Sequence, residues 1–269
     1  MGAAKFQAIE RFFGGISRKR HRSVLLVGLS VIVLRLALLP LLPIPLPFVH
    51  DDFSMLLAAD TFLHGRLANP TPAMWVHFET VHETMVPTYA SMYFPGVGLV
   101  LAGGKILFGN PWFGLLIATS LMCASICWML QAWLPPAWAL LGGFLSVLRL
   151  GLFSYWIDTY TGGGSIAALG GALILGALPR FLRTDRPRYV WLIAVGVVLV
   201  AFTRPYEGML LCLPVLAVLG RWAFRARRQG SKVSLVQLAA GPLTLVIVAG
   251  AWLSYYDYRA FGSPTTLPY

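Results

Sequence analysis

Long apolar runs, separated by short polar stretches, dominate the chain. A run of about 20 apolar residues is typical of a helix that crosses a bilayer, because that length spans the hydrocarbon core. Eight apolar segments can be marked: Val24–Leu42, Gly96–Phe108, Trp112–Gln131, Trp138–Phe153, Ser165–Phe181, Tyr189–Phe202, Met209–Phe224 and Leu235–Tyr255. Together they predict an all-α, polytopic membrane protein.

The charges between the segments restrict how many of them cross. If all eight crossed, two basic clusters would lie on the outer side, against the positive-inside rule. Those clusters are Arg180, Arg183, Arg186 and Arg188, and then Arg221, Arg225, Arg227, Arg228 and Lys232. If one of the first four segments does not cross, both basic clusters lie in the cytoplasm. Gly96–Phe108 is the best candidate, since short apolar helices are often re-entrant or interfacial; Trp138–Phe153 is the runner-up, and charge does not decide between them.

The resulting prediction is about seven transmembrane helices with the N-terminus in the cytoplasm and the C-terminus outside. Residues 1–23 form a basic cytoplasmic N-terminus, and the first apolar run lacks a cleavage site, which indicates an uncleaved signal anchor. Residues 24–255 form the seven-span module, with an outer loop over 47–110 that contains an interfacial helix over 96–108. Residues 256–269 begin a further outer loop, so we expect the chain to be truncated.

Composition agrees with this picture. Hydrophobic residues make up 58% of the chain and charged residues 12%, about half the charge of a soluble domain, which excludes a soluble fold. The net charge of +11 follows from the cytoplasmic clusters, which attract anionic lipid, and requires no nucleic acid. The outer face or its boundary holds most of the acids: Asp51, Asp52, Asp60, Glu79, Glu83, Asp158, Glu207 and Asp257.

The first outer loop contains the strongest candidate chemistry, His50-Asp51-Asp52-Phe53 directly after the first span. Two adjacent carboxylates are costly near hydrocarbon unless something pairs with them. One interpretation is a general base or a substrate-orienting group, with a pKa raised by burial and by the neighbouring charge. The other is an ordinary loop start in which Asp52 caps a helix predicted over Ser54–Leu63.

The same loop holds a second polar cluster, His77, Glu79, His82 and Glu83. Histidine and carboxylate ligands suit zinc or manganese, but the spacing matches no specific metal motif. A divalent metal site and a set of solvated loop residues both remain open.

Two further outer segments carry isolated charges. Asp158 stands among aromatic residues and precedes Gly162-Gly163-Gly164, where a helix start could bring its backbone N–H groups to an anionic head group. The short turn Thr203–Gly208 contains Arg204, Tyr206 and Glu207, so that Arg204 either pairs with Glu207 or binds a phosphate.

Two arginines, Arg35 and Arg149, lie within apolar segments. A side chain that reaches out from the end of a span explains Arg149 better than Arg35.

These motifs resemble the GT-C glycosyltransferases, multispan enzymes that use polyprenyl-phosphate-linked sugars. The chain is similar to bacterial relatives of protein mannosyltransferases, aminoarabinose transferases and lipopolysaccharide-core glycosyltransferases over nearly its whole length. The acidic motif is the part specific to catalysis. The resemblance is carried by His50–Phe53, the long first outer loop, Tyr93–Gly96, Leu107–Trp112, the Asp158 loop and Thr203–Gly208.

The resemblance implies roles for individual residues. Asp51 or Asp52 would be the catalytic base or acceptor-orienting carboxylate, Asp158 would assist, and Gly96–Phe108 would lie at the outer interface. The oligosaccharyltransferase branch binds a divalent metal through an acid-x-acid pattern in its second outer loop. Here Asp158 is followed by Thr159-Tyr160, so the chain departs from that metal-binding pattern, and no cofactor is assigned. Such enzymes also continue with further spans, hence the expectation of a truncated member.

The leading hypothesis is therefore inverting glycosyl transfer on the periplasmic face of a bacterial inner membrane. A polyprenyl-phosphate sugar would dock its phosphate near Arg204, Gly163 and Gly164, and the acceptor would be a hydroxyl of a glycan, lipid or protein. His50, Tyr206, Glu207, Glu79 and His82 would support the site. The alternative is a catalytically incomplete module that binds lipid phosphate or serves assembly. A transporter or flippase is the third, weaker hypothesis.

Overall fold

A computed structural model describes residues 13–228 and 235–266, and most of these residues are helical. From Arg20 onwards the helices are α1 (Arg20–Ala37), α2 (His50–Leu63), α3 (Pro95–Phe108), α4 (Trp112–Leu130), α5 (Pro136–Ser146), α6 (Tyr155–Asp158), α7 (Gly163–Thr184), α8 (Pro187–Ala201), α9 (Pro205–Arg228) and α10 (Leu235–Phe261). A π-helical turn, Val147–Leu152, continues α5 towards α6.

The little extended structure in the described residues belongs to the first outer loop. A 3-10 turn over Trp75–His77 precedes a two-stranded antiparallel sheet of β1 (Glu83–Thr84) and β2 (Ala90–Ser91), in which Glu83 lies opposite Ser91. The β-branched Thr80-Val81 and the nearby Pro87 disfavour a long helix in this segment.

The chain is an all-α membrane protein. In the described ranges, five helices are long and apolar enough to cross a membrane: Trp112–Leu130, Pro136–Asp158, Gly163–Thr184, Pro205–Arg228 and Val236–Phe261. The helices α3 and α8 are apolar but shorter, and α1 carries three arginines. Many large apolar side chains face outwards, among them Leu25, Leu213 and Ile247. An apolar exterior of this kind suits hydrocarbon rather than water.

Contacts between helix ends show how the bundle is arranged. The Gln131 side chain donates to the Arg20 carbonyl, while Arg35 lies over the Trp112 ring, so that α1 and α4 are antiparallel. Similar contacts place the remaining long helices alternately up and down. We call the end that holds Asp51, Asp158 and Arg204 the acidic end. The end that holds Arg20, Arg180 and Arg228 is the basic end, where Asp185 accepts a hydrogen bond from Trp222.

Helix α3 stays at the acidic end. In its first turn, the Gly96 N–H donates to the Phe202 carbonyl at 2.9 Å. Its later turns pack on Gly114 at the start of α4. Trp138–Phe153 instead lies within the long helical stretch Pro136–Asp158. These contacts favour Gly96–Phe108, rather than Trp138–Phe153, as the segment that does not cross the membrane.

The central helices approach each other through glycines. A Cβ on Gly170 of α7 would lie 2.7 Å from the Gly196 carbonyl of α8, and a Cβ on Gly196 would lie 2.6 Å from the Gly170 carbonyl. Such backbone contact through small residues is typical of helix pairs in membranes. The α7–α8 pair is the most extensive helix contact in the described residues.

Several element ends differ from the predicted ones. Helix α1 ends at Ala37 rather than Leu42, and α10 continues to Phe261, beyond the predicted limit at Tyr255. The predicted helix over Ser54–Leu63 starts four residues earlier, so that Asp51 and Asp52 lie in its first turn. Negative side chains are favoured there because the helix dipole is positive at that end.

The close approach of α3 and α4 yields a test with a neighbouring control. A Cβ on Gly104 would lie 2.6 Å from the Pro111 carbonyl and still closer to the Gly114 backbone, whereas a Cβ on Gly103 would meet nothing within 4 Å. We expect Gly104→Ala to lower stability by about 1–3 kcal/mol through overpacking. Gly103→Ala should be neutral or stabilising by up to about 1 kcal/mol. Thermal unfolding in detergent measures both, and equal midpoints for the two variants would contradict this packing.

Candidate functional site

The acidic end contains a cavity of about 240 Å³. Residues from four separate parts of the chain line it, because α2, α3, α7 and α9 all begin there. Its polar lining combines one carboxylate from the first outer loop with a guanidinium and a second carboxylate from the Thr203–Gly208 turn. The lining includes Asp51, Tyr93, Gly163, Gly164, Arg204 and Glu207.

Asp51 is held at the cavity by two side chains. The Tyr93 hydroxyl donates to Asp51 Oδ1 at 2.7 Å, and His82 Nε2 lies 3.2 Å from the same oxygen. The His82 and Tyr93 rings stack with centroids 5.5 Å apart. Asp51 itself is half-buried, with 35% of its side chain exposed. A carboxylate fixed in this way can accept a proton or a hydroxyl hydrogen bond from a molecule in the cavity.

His82 adopts an unusual backbone conformation, with φ at +67°. The left-handed region is unfavourable for a residue with a Cβ, and such strain persists where the surroundings over-determine it. The His82 carbonyl accepts from Ser54 Oγ at 2.6 Å and from the Met92 N–H at 3.0 Å. The loop is thus tied to α2 and to the strand that precedes Tyr93, and this places His82 beside Asp51.

The other members of the predicted polar cluster do not join His82. His77 and Glu79 are exposed. Burial raises the pKa of Glu83, while its hydrogen bond with Tyr89 and the nearby His50 oppose that rise. Over residues 13–228 and 235–266, no three His, Cys, Asp or Glu side chains form a group that could hold a metal ion. The hypothesis of a metal site at this cluster therefore finds no geometric support.

Asp52 has a different environment from Asp51, although the two are adjacent. It is fully buried. Its Oδ1 accepts from the Tyr160 N–H at 2.7 Å, and its Oδ2 accepts from Phe48 and Val49 N–H at 3.1 and 3.4 Å. Asp52 is the third residue of α2 rather than its N-cap, and its carboxylate reaches back over the helix start. Burial and the charge of Asp52 both raise the pKa of Tyr160.

Asp158 pairs with an arginine that the sequence left without a partner. Arg35, only 1% exposed, donates through Nη2 to Asp158 Oδ1 at 2.7 Å and through Nη1 to the Leu42 carbonyl at 2.7 Å. Its guanidinium lies 5.4 Å from the Trp112 ring centroid. Asp158 is not among the residues that line the cavity, so the structure brings Asp51 and Arg204 to it but not Asp158. Two isolated opposite charges were the signal that could have paired them.

The glycines of the second outer loop are required mainly by packing. A Cβ on Gly164 would overlap the Trp156 indole, and one on Gly162 would overlap Leu115. Gly163 is less crowded, since a Cβ there would lie 3.3 Å from the Val97 side chain, and its N–H already donates to the Thr161 carbonyl. Gly163 and Gly164 line the cavity, and close approach of Trp156 explains the glycine at 164.

Arg204 lies at the cavity together with Glu207. Its Nη1 donates to Glu207 Oε1 at 2.8 Å, and both side chains are more than half exposed. Tyr206 is also exposed. The contact of Phe202 with Gly96 holds this turn against α3. An exposed ion pair contributes little to stability, so Arg204 can exchange its partner for an anionic ligand at small cost. Arg149 is exposed and donates to the Phe153 carbonyl.

The contrast between the two adjacent aspartates can be measured with matched amide variants. In Asp52→Asn, one of the three N–H donors would face an amide NH2 in a buried position, so we expect a loss of about 2–3 kcal/mol. In Asp51→Asn, Tyr93 can still donate to the remaining carbonyl oxygen, and the loss should stay below about 1 kcal/mol. Thermal unfolding in detergent distinguishes them; a larger loss for Asp51→Asn would contradict the assignment.

The Arg35–Asp158 pair is open to a double-mutant cycle. Asp158→Ala leaves a buried guanidinium without its carboxylate, and we expect a loss of about 2–3 kcal/mol, since Asp158 keeps 38% of its side chain exposed. Adding Arg35→Met removes the unpaired charge and should recover much of that loss. The exposed Arg149→Met serves as control and should be nearly neutral. Additive losses in the double variant would show that the two side chains do not couple.

Comparison of the chain with protein-family models, with curated proteins and with solved structures gives no match.

Proposed function

We propose that the chain is a GT-C-type glycosyltransferase that moves a sugar from a polyprenyl-phosphate donor to an acceptor hydroxyl. The observation that carries this proposal is the cavity at the acidic end, which Asp51 and Arg204 both line although they are far apart in sequence. Asp51 supplies a candidate base, and Arg204 supplies a candidate partner for the phosphate. The apolar exterior would let a donor with a long hydrocarbon chain reach this cavity from the bilayer.

The arrangement of the helices supports an outer location for the cavity. If α1 and α8 cross together with the five longer helices, the chain has seven spans, with α3 left at the interface. Successive spans then run in opposite directions, and all basic clusters lie on one side. The basic end then faces the cytoplasm by the positive-inside rule, and the acidic end faces outwards. We place the N-terminus inside and the cavity on the periplasmic face of a bacterial inner membrane.

The chemistry proposed for the cavity is a single displacement. Asp51 accepts the proton of the acceptor hydroxyl as its oxygen attacks the anomeric carbon. The bond between that carbon and the phosphate oxygen breaks, and polyprenyl phosphate leaves as an anion. Attack opposite the leaving group inverts the anomeric centre. Arg204 would stabilise the charge that develops on the phosphate, an interaction that is strongest when the charge is fully formed.

The other two aspartates take structural roles in this proposal. Asp52 has three backbone donors and Asp158 has Arg35, so neither needs a ligand to balance its charge. Asp51 is the remaining member of the predicted catalytic set, and both of its contacts in the described residues converge on Oδ1. We therefore assign the role of base to Asp51 alone, with His82 and Tyr93 as the groups that position it.

The test uses the full chain in proteoliposomes with undecaprenyl-phosphate donors that carry a radiolabelled hexose or pentose, and washed membranes as the source of acceptor. We expect Asp51→Asn to lower turnover at least about 100-fold, the usual contribution of a general base. Asp60→Asn, an exposed carboxylate beside His64, should leave turnover unchanged. Unaltered turnover in Asp51→Asn would overturn the assignment of the base.

Titration of the detergent-solubilised chain with undecaprenyl phosphate measures binding at the phosphate site separately from catalysis. Arg204→Gln should weaken binding about tenfold, because a charge-assisted hydrogen bond to phosphate is lost. Arg66→Gln, which removes an exposed arginine outside the cavity lining, is the matched control. Binding by the unmodified chain without transfer from any donor would instead support a lipid-phosphate-binding module that lacks catalysis.

A further inference from the structure

A second cavity, of about 680 Å³, lies at the opposite, basic end of the bundle. It opens between α1, α4, α7 and α8. Among the described residues that line it, four are basic, two are aromatic and none is an aspartate or glutamate. The basic residues are Arg20, His21, Arg180 and Arg188. A concave surface with one sign of charge concentrates ions of the opposite sign.

Two of the arginines are already fixed in place. Arg180 donates through Nη1 to the Gly176 carbonyl and through Nη2 to the Trp128 carbonyl, both at 2.7 Å, and its guanidinium lies 4.1 Å from the Trp128 ring centroid. Arg188 donates to the Tyr189 hydroxyl at 2.8 Å, and its guanidinium lies 4.8 Å from the centroid of the Tyr189 ring. Because Arg180 is held by two carbonyls and a ring within the bundle, a ligand would not have to immobilise it.

The helix ends around the cavity carry opposite partial charges, because α1 and α8 begin there while α4 and α7 end there. The positive potential therefore comes from the basic side chains. The carbonyl groups of Trp128 and Gly176 would contribute negative charge, but both are directed at Arg180. Asp185, the nearest acidic residue along the chain, accepts from the Trp222 indole instead of lining the cavity.

Part of the cavity wall is apolar. Val24 and Leu25 of α1, Leu173 of α7 and Leu192 of α8 form it, and Leu25 is largely exposed on the outside of the bundle. A soluble anion would gain nothing from such a wall. An amphiphile with a negative head and a hydrocarbon tail would use both surfaces.

We propose that this cavity binds one anionic phospholipid, with its phosphate among Arg20, Arg180 and Arg188 and an acyl chain along the leucine-lined wall. Basic pockets between membrane helices at the cytoplasmic side bind phospholipid head groups in this manner. The site is separate from the cavity at the acidic end and does not depend on glycosyl transfer, so either proposal can fail while the other holds.

Native mass spectrometry of the detergent-solubilised chain, titrated with dioleoyl phosphatidylglycerol or with dioleoyl phosphatidylcholine, tests the proposal. We expect retention of one phosphatidylglycerol in preference to phosphatidylcholine. The double variant Arg20→Gln/Arg188→Gln should weaken phosphatidylglycerol binding about 25-fold, at roughly fivefold for each basic residue near the head group. The single variant Arg188→Gln, at an exposed position, should weaken it about fivefold.

The matched control is Arg22→Gln/Arg186→Gln, which removes two exposed arginines from the same two segments but outside the cavity. This variant should bind phosphatidylglycerol within about twofold of the unmodified chain, because neither arginine contacts the head group. An equal loss in both double variants would mean diffuse attraction by surface charge and would overturn the site, as would equal retention of the two lipids. Displacement of the lipid by millimolar inorganic phosphate would overturn the choice of a lipid.

Discussion

The buried carboxylate of Asp52 is the constraint on which the geometry of the acidic end depends. A charged group out of contact with water is tolerated only when it is fully hydrogen-bonded, and three backbone N–H groups meet that requirement here. Two of them precede α2, while the third belongs to Tyr160, in the loop before α7. One side chain thus fixes the start of α2 against the second outer loop. Asp51, the preceding residue of the same helical turn, inherits its position from this arrangement.

The Arg35–Asp158 pair adds a second link between the same parts of the molecule. Arg35 belongs to the last turn of α1, and Asp158 ends α6. The Trp112 ring lies beside the guanidinium, and its indole N–H donates to the Ile157 carbonyl at 2.9 Å. Aromatic faces attract cations most strongly where water is excluded. Helices α1, α4 and α6 therefore meet around one buried cation, next to the Asp52 network, and the cavity rests on both.

Much of the architecture was predictable because membranes impose simple rules on sequence. Apolar length indicated the helices, and the basic clusters indicated that one of the first four segments does not cross, with the short Gly96–Phe108 as the best candidate. Asp51, Arg204 and the two glycines were recognised because polar or flexible residues are conspicuous in an apolar chain. Their functions could not be separated by the same means. Adjacent aspartates look alike in sequence, and only the fold shows that one accepts backbone N–H groups while the other lies at a cavity. Long-range pairing was harder to predict: Arg35 and Asp158 are isolated charges of opposite sign, but nothing in the local sequence joins them. His82 reaches Asp51 through a left-handed backbone conformation.

The glycine contact between Gly170 and Gly196 has a consequence for how a ligand could enter the acidic-end cavity. At this crossing the backbones of α7 and α8 lie against each other, and the Ile174 and Val200 side chains pack beside the two glycines. The start of α7 and the turn after α8 each form part of the cavity wall, so the distance between Gly163 and Arg204 is set by a rigid unit. Widening the cavity between these two points would require α7 and α8 to give up this backbone contact.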